Sequence, residues 1–232
     1  MSLLRNMILA DPARWEANKK RLKRMLPVPD SMIASLSGAV GRVHQRLFQD
    51  YVFIHINKTG GTALERALGI PLTNHDLAVE RRKLIGEREW NKRFKFAVIR
   101  NPYERFGSTF AYLHRNDPFP AHEAPDRYVV WLEKIYARYK VGRHDRNEGD
   151  QLAWIADDEG RIIIDKLCRY ETLADDIAEV AKSLGRPIEL PRINETRLKL
   201  DYHEIYTPRS REIVNEMHAR DFEAFGYTKV EA

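Results

Sequence analysis

The stretch that most constrains this chain is Tyr51 to Leu68, YVFIHINKTGGTALERAL. Tyr51-Val52-Phe53-Ile54-His55-Ile56 is short, apolar and β-branched, the pattern of a buried strand. Asn57-Lys58-Thr59-Gly60-Gly61-Thr62 follows as a glycine-bearing turn, and Ala63 to Leu68 is good helix material. Strand, turn and helix in this order gather backbone N–H groups and a positive helix end around an anion. Lys58 adds a mobile charge there, and Thr59 and Thr62 add hydroxyl donors. A second unit of the same kind comes later. Phe96-Ala97-Val98-Ile99 reads as a buried strand that stops at Arg100-Asn101-Pro102, and Tyr103 to His114 reads as a helix. Two such units in tandem predict an α/β fold: a single domain with a central parallel sheet flanked by helices.

A chain of 232 residues can bury a substantial core, and 43% hydrophobic with 31% charged residues is a globular composition. The net charge of +5 suits an anionic ligand without choosing among nucleotide, nucleic acid, polysaccharide and membrane surface. Cys168 is the only cysteine, which excludes an internal disulfide and a thiolate metal cluster. No apolar run has the length of a membrane span and no signal-peptide pattern is visible, so a cytoplasmic enzyme of bacterial type is expected.

Residues 1–49 are expected to form a helical N-terminal extension, with a basic helix from Ala13 to Leu26 and another from Ser31 to Gln49. Thr73 or Asn74 would cap a helix through Leu77 to Ile85. Asn116 to Pro125 reads as a surface loop, Tyr128 to Tyr139 as an amphipathic helix, and Lys140 to Gly149 as a polar loop. A short piece at Gln151 to Ile155 and a turn at Asp157–Gly160 precede Ile162-Ile163-Ile164, which reads as a strand. A helix from Glu171 to Leu184 stops at Gly185, and a last helix opens at Thr207-Pro208 and runs toward Phe222 and Phe225.

The lysine of the first loop precedes the glycines, so the loop is not a Walker A motif, and it lacks the spacing of a dinucleotide fingerprint. Gly60 and Gly61 still let backbone approach an anion, although such a loop alone also fits a tight structural turn. Arg100, at a strand end, offers a planar fork suited to phosphate, and Ser108, two turns into the next helix, offers a neutral donor; each alone also fits an ordinary surface role.

Together, Lys58-Thr59-Gly60-Gly61-Thr62 and Arg100 through Ser108 resemble the two nucleotide signatures of sulfotransferases that use PAPS, 3′-phosphoadenosine 5′-phosphosulfate. The resemblance is closest to the carbohydrate branch, Golgi-type and bacterial. It extends through Gln151-Leu152, Arg169-Tyr170-Glu171-Thr172-Leu173, Pro191-Arg192-Ile193-Asn194 and Asp221 to Tyr227, and so covers roughly residues 50–228. It implies a P-loop-like sulfotransferase fold over residues 50–232. Lys58, Thr59, Gly60, Gly61 and Thr62 would hold the 5′-phosphosulfate, and Arg100 and Ser108 the 3′-phosphate. Asn57 stands where the family commonly has proline and is expected to cap the turn; Ala63 stands where it has serine or threonine and removes one hydroxyl.

The implied reaction is in-line transfer of a sulfuryl group from PAPS to a hydroxyl of a carbohydrate or small metabolite, leaving PAP and requiring no metal. Lys58 would stabilise the leaving phosphate. A general base would activate the acceptor hydroxyl, with His75 favoured and Glu80 the alternative, while His55 reads as a satisfied core histidine. Acceptor recognition would come from the basic stretch that holds Arg115, Arg127, Arg138, Lys140, Arg143, His144 and Arg146, with Arg192 and Lys199 approaching the nucleotide. The competing readings are a non-catalytic nucleotide- or polysaccharide-binding protein that keeps the fold, and an ATP-dependent phosphotransferase. Nucleic acid is not the expected partner.

Overall fold

The computed structural model describes residues 46, 49–70, 75–117, 119–191 and 204–231. Nearly all of the expected N-terminal extension, the caps Thr73 and Asn74, and Arg192 and Lys199 lie outside the described residues. Three strands form one sheet in the order β1 (Tyr51–Ile54), β2 (Phe94–Ile99), β3 (Lys166–Arg169), and both pairings are parallel. The register sets Ile54 opposite Ala97 and Ile99 opposite Arg169. Because all three strands run the same way, their carboxyl ends lie along one edge.

Both faces of the sheet are covered, as a parallel sheet requires. Val52, Ile54, Ala97 and Ile99 point to one side, where Trp90, Trp154 and Ile155 cover them. Tyr51, Phe53, Phe96, Val98 and Cys168 point to the other, against Leu64 of α1 (Gly61–Ala67) and Ile177 and Val180 of α7 (Leu173–Ser183). The period of two along each strand therefore divides the core between two helical layers. Cys168 is buried, and burial pushes its thiol up to about 12, so it behaves as an inert apolar group.

The second unit continues from β2 into α4 (Pro102–Leu113), where Asn101 Oδ1 accepts from Tyr103 N at 3.0 Å and Pro102 takes the first helical position. Phe106 and Phe110 of α4 pack with Tyr128, Leu132 and Ile135 of α5 (Ala124–Lys140) and with Ile213 and Val214 of α8 (Pro208–Met217). Between the two units lie α2 (Ala78–Ile85) and α3 (Glu87–Lys92), and α6 (Leu152–Ile155) precedes β3. Among the described residues no helix is long and apolar enough to cross a membrane.

The structure departs from the sequence pattern at two places. Ile162–Ile164 is not a strand. Ile162 makes one antiparallel bridge to Ala156, closing a turn in which Asp157 Oδ1 accepts from the amides of Glu159 and Arg161. The edge of β2 is filled by Lys166–Arg169 instead, starting where Lys95 N donates to Asp165 Oδ2 at 2.8 Å. The last helix is also two helices. α8 ends at Met217, and α9 (Ala219–Phe225) restarts after His218, whose Nδ1 lies 3.3 Å from Asp221 Oδ2 inside the protein.

Candidate active site

The first two strands deliver the two segments singled out in the sequence to the same edge, and β3 brings a third. Lys58 follows β1 with φ at +67°, a left-handed conformation that costs an L-residue about 1–2 kcal/mol. Gly60 is also left-handed, at φ +82°. Thr59 Oγ1 donates to Ile56 O at 2.8 Å and its side chain is buried, so this hydroxyl braces the turn. Asn57 Oδ1 is buried without a hydrogen-bond partner among the described residues, so its oxygen does not cap the turn as expected.

Gly61 has a reason for being glycine that the sequence does not reveal. A Cβ there would lie 2.1 Å from His55 Cδ2 and 2.2 Å from its Nε2, because the His55 ring occupies the space beside the glycine. His55 Nδ1 in turn lies 2.9 Å from Glu65 Oε1 of α1, and both side chains are buried. The expectation of a satisfied core histidine fits this placement. A Cβ on Gly60 would meet Tyr170 at 3.0 Å.

Arg100 directly follows β2 and is buried. Its Nη1 donates to Lys58 O at 3.3 Å, its Nε and Nη2 reach Glu104 Oε2, and its guanidinium lies 4.1 Å from the Tyr170 ring centre. Tyr170 directly follows β3, so one aromatic ring touches both the glycine turn and the arginine. The end of β2 is sealed by Gln151: Arg100 N donates to its Oε1 at 2.9 Å, and its Nε2 donates to Arg100 O at 2.8 Å. Asp221 of α9 fixes this arrangement by accepting from the amides of Gln151 and Leu152. Burial alone would raise the Asp221 carboxyl, but hydrogen bonding to His218 and Gln151 and the charge of Arg105 leave its pKa lowered.

Lys58 Nζ lies over the Tyr112 ring at 4.1 Å, near the far end of α4. Burial, and then the charges of Arg100 and Arg115, bring its pKa down to about 8. Ser108 is buried within α4, two turns on from Arg100. Thr62 is half-buried in the first turn of α1.

His75 comes back to this region. Its Nδ1 lies 3.1 Å from His55 O, and since a carbonyl only accepts, Nδ1 carries the proton and Nε2 keeps its lone pair. Its ring sits 4.5 Å from the His55 ring and 6.2 Å from that of Trp154. The residue as a whole is exposed, yet desolvation by these neighbours, followed by the effect of His55, lowers the imidazole pKa. Glu80, the alternative base, is engaged elsewhere. It accepts the two-pronged Arg146 guanidinium at 2.7 and 2.9 Å and the Leu77 amide at 2.8 Å. Burial opposes this, but the Arg146 hydrogen bond and the Leu77 amide hold its carboxyl below the ordinary value.

Arg105 carries no distinctive signal in the sequence beyond lying inside the second motif. Its buried guanidinium donates to Asn57 O, Gly149 O and Asn147 O at 3.2, 3.0 and 2.9 Å, tying the first loop to the polar loop before Gln151. Desolvation brings its pKa down to about 10 despite Asp221 and Asp150. Tyr170 and Gln151 were visible only as parts of similar segments, with no pattern that assigned them a contact.

A left-handed lysine, a buried arginine and an aromatic ring at three parallel strand ends can hold a doubly or triply charged anion and stabilise charge that develops on it. Neither a curated protein nor a solved structure matches the chain. A family model described as the sulfotransferase family matches residues 48–228. That span takes in both strand–turn–helix units, β3, Gln151 and Asp221, which is everything that builds this edge, and the chain belongs to the sulfotransferase family.

Proposed function

We propose that the protein transfers a sulfuryl group from PAPS to a hydroxyl of a carbohydrate or small-metabolite acceptor. The observation that carries this reading is the convergence of Lys58, Arg100 and Tyr170, where the Lys58 carbonyl accepts from Arg100 and Tyr170 touches both Arg100 and the Gly60 turn. In this reading Lys58 to Thr62 receive the 5′-phosphosulfate, Thr59 through its main chain, and Arg100 and Ser108 receive the 3′-phosphate. The acceptor oxygen forms a bond to sulfur as the bond from sulfur to the bridging oxygen breaks. That electron pair stays on the phosphate of PAP, beside the Lys58 ammonium. The hydroxyl proton passes to Nε2 of His75, which its Nδ1–H···O bond to His55 leaves free to accept. The step as drawn uses cations of the chain and no metal.

The test is a calorimetric titration with PAP beside ADP and ATP, repeated on Lys58→Ala and Arg100→Ala. Selective binding of PAP, weakened by both substitutions, is expected. Equal binding of PAP and ADP would remove the 3′-phosphate role of Arg100 and Ser108 and with it this function.

A further inference from the structure

The basic stretch from Arg115 to Arg146 does not act as one surface. Arg127, Arg138, Lys140 and Arg146 each form an ion pair with a glutamate. Arg115 is different. It is exposed, its Nη1 donates to Tyr112 O at 2.7 Å, and its guanidinium lies 4.0 Å from the Tyr112 ring centre. The same ring carries Lys58 Nζ at 4.1 Å. Tyr112 thus holds two cations, one of them the lysine of the anion loop, and it remains 47% exposed beside Leu113 at 53%. Among the described residues Arg115 pairs with no carboxylate. Arg100, whose Nη1 donates to the Lys58 carbonyl, has Glu104.

Two like charges on one ring repel, and the lowered pKa of Lys58 records part of that repulsion. The phosphosulfate of the proposed donor answers the charge of Lys58 but not that of Arg115. A second anion would answer it. A planar guanidinium backed by an aromatic ring suits a carboxylate or sulfate held in two-pronged fashion, and the exposed side chain of Leu113 beside it suits the apolar face of a sugar ring.

We propose that Arg115 and Tyr112 form an acceptor subsite that selects acceptors bearing a carboxylate or sulfate close to the hydroxyl they offer. This rests on the sulfuryl-transfer reading, because it takes the anion at Lys58 to be the donor's. Arg115 is then a specificity residue, and neutral acceptors of the same shape are discriminated against.

The probes are p-nitrophenyl β-glucuronide and p-nitrophenyl β-glucoside, titrated into the full chain saturated with PAP. The glucuronide should bind about tenfold tighter than the glucoside, and Arg115→Ala and Arg115→Gln should bring the two within about twofold. PAP affinity should change by less than about twofold in both variants. Arg115 is exposed, and a melting curve for each variant confirms folding. Equal binding of the two glycosides by the wild type, or a preference that survives both substitutions, overturns the subsite. Loss of PAP affinity in step with the glucuronide makes Arg115 a donor contact and also overturns it. Failure of the wild type to bind PAP is a separate result that removes the donor reading itself.

Discussion

In the proposed reaction, two residues with shifted pKa values set opposite requirements on pH. His75 must be neutral to accept a proton, so kcat/KM rises with pH through a midpoint below the ordinary imidazole value of 6.5. Lys58 must be charged, so kcat/KM falls again as its ammonium deprotonates at about 8. A bell with a narrow top is expected for the free enzyme. His75→Ala should flatten the acid limb and Lys58→Arg the alkaline one, and a profile that keeps both limbs in both variants would reassign the groups. In the ternary complex the donor's charge stabilises the ammonium, so the alkaline limb of kcat should lie higher than that of kcat/KM. Gly61 makes a different kind of prediction. The methyl of Gly61→Ala would collide with the His55 ring at 2.1 Å, displacing either the ring or the turn. A loss of about 1–3 kcal/mol by denaturant titration is expected, together with a loss of PAP binding. His55→Ala in the same chain should restore part of that stability by opening the space.

The elements around the site are joined by polar contacts that pattern reading does not detect. Strand and helix identity in the two central units was legible because strands that are covered on both faces leave a continuous apolar run, and Asn101-Pro102 marks a helix start. Ile162–Ile164 misled because β-branched residues state a preference for extended backbone and say nothing about which edge is free to pair; the neighbouring strand was occupied by Lys166–Arg169. The glycine turn at Lys58 and the arginine at the end of β2 were legible as types of residue at strand ends. The roles of Tyr170, Gln151 and Arg105 were not, since each depends on meeting a partner distant in sequence. Arg105 offers the sharpest test at this level. Its substitution by alanine takes the donor from three backbone carbonyls, at a cost of about 1–3 kcal/mol for each one left unsatisfied. Arg105→Lys keeps the charge but cannot span both loops, so the chain should fold and melt lower, while the affinity for PAP falls without any change in the acid limb of the pH profile.

The residues that carry the sulfotransferase resemblance outside the two loops are mostly fasteners of the whole molecule. Arg169 Nη2 donates to Phe225 O at 2.5 Å, Glu171 accepts from Asn101 N at 2.6 Å and from the Tyr227 hydroxyl at 3.0 Å, and Asp221 holds Gln151. Asp221→Asn keeps the shape but loses the charge, and it should cost about 2 kcal/mol, read as a fall in Tm of roughly 4–8 °C. The Asp221 carboxyl is lowered in the fold, so its contribution is present above the ordinary carboxylate pKa and is lost as pH falls through the folded value. The wild type and Asp221→Asn should therefore converge in Tm toward acid pH; a constant gap down to low pH would show that the charge plays no part. The seal on β2 also has a consequence for how the protein is made. The strand that ends at Arg100 is synthesised well before the carboxylate that locks its end, which comes from Asp221. A nascent chain can assemble the sheet early and still hold its arginine in the wrong place. Competence to bind the proposed donor would then arrive in a single step once the helix that carries Asp221 has left the ribosome, which makes nucleotide affinity a reporter of synthesis past that helix.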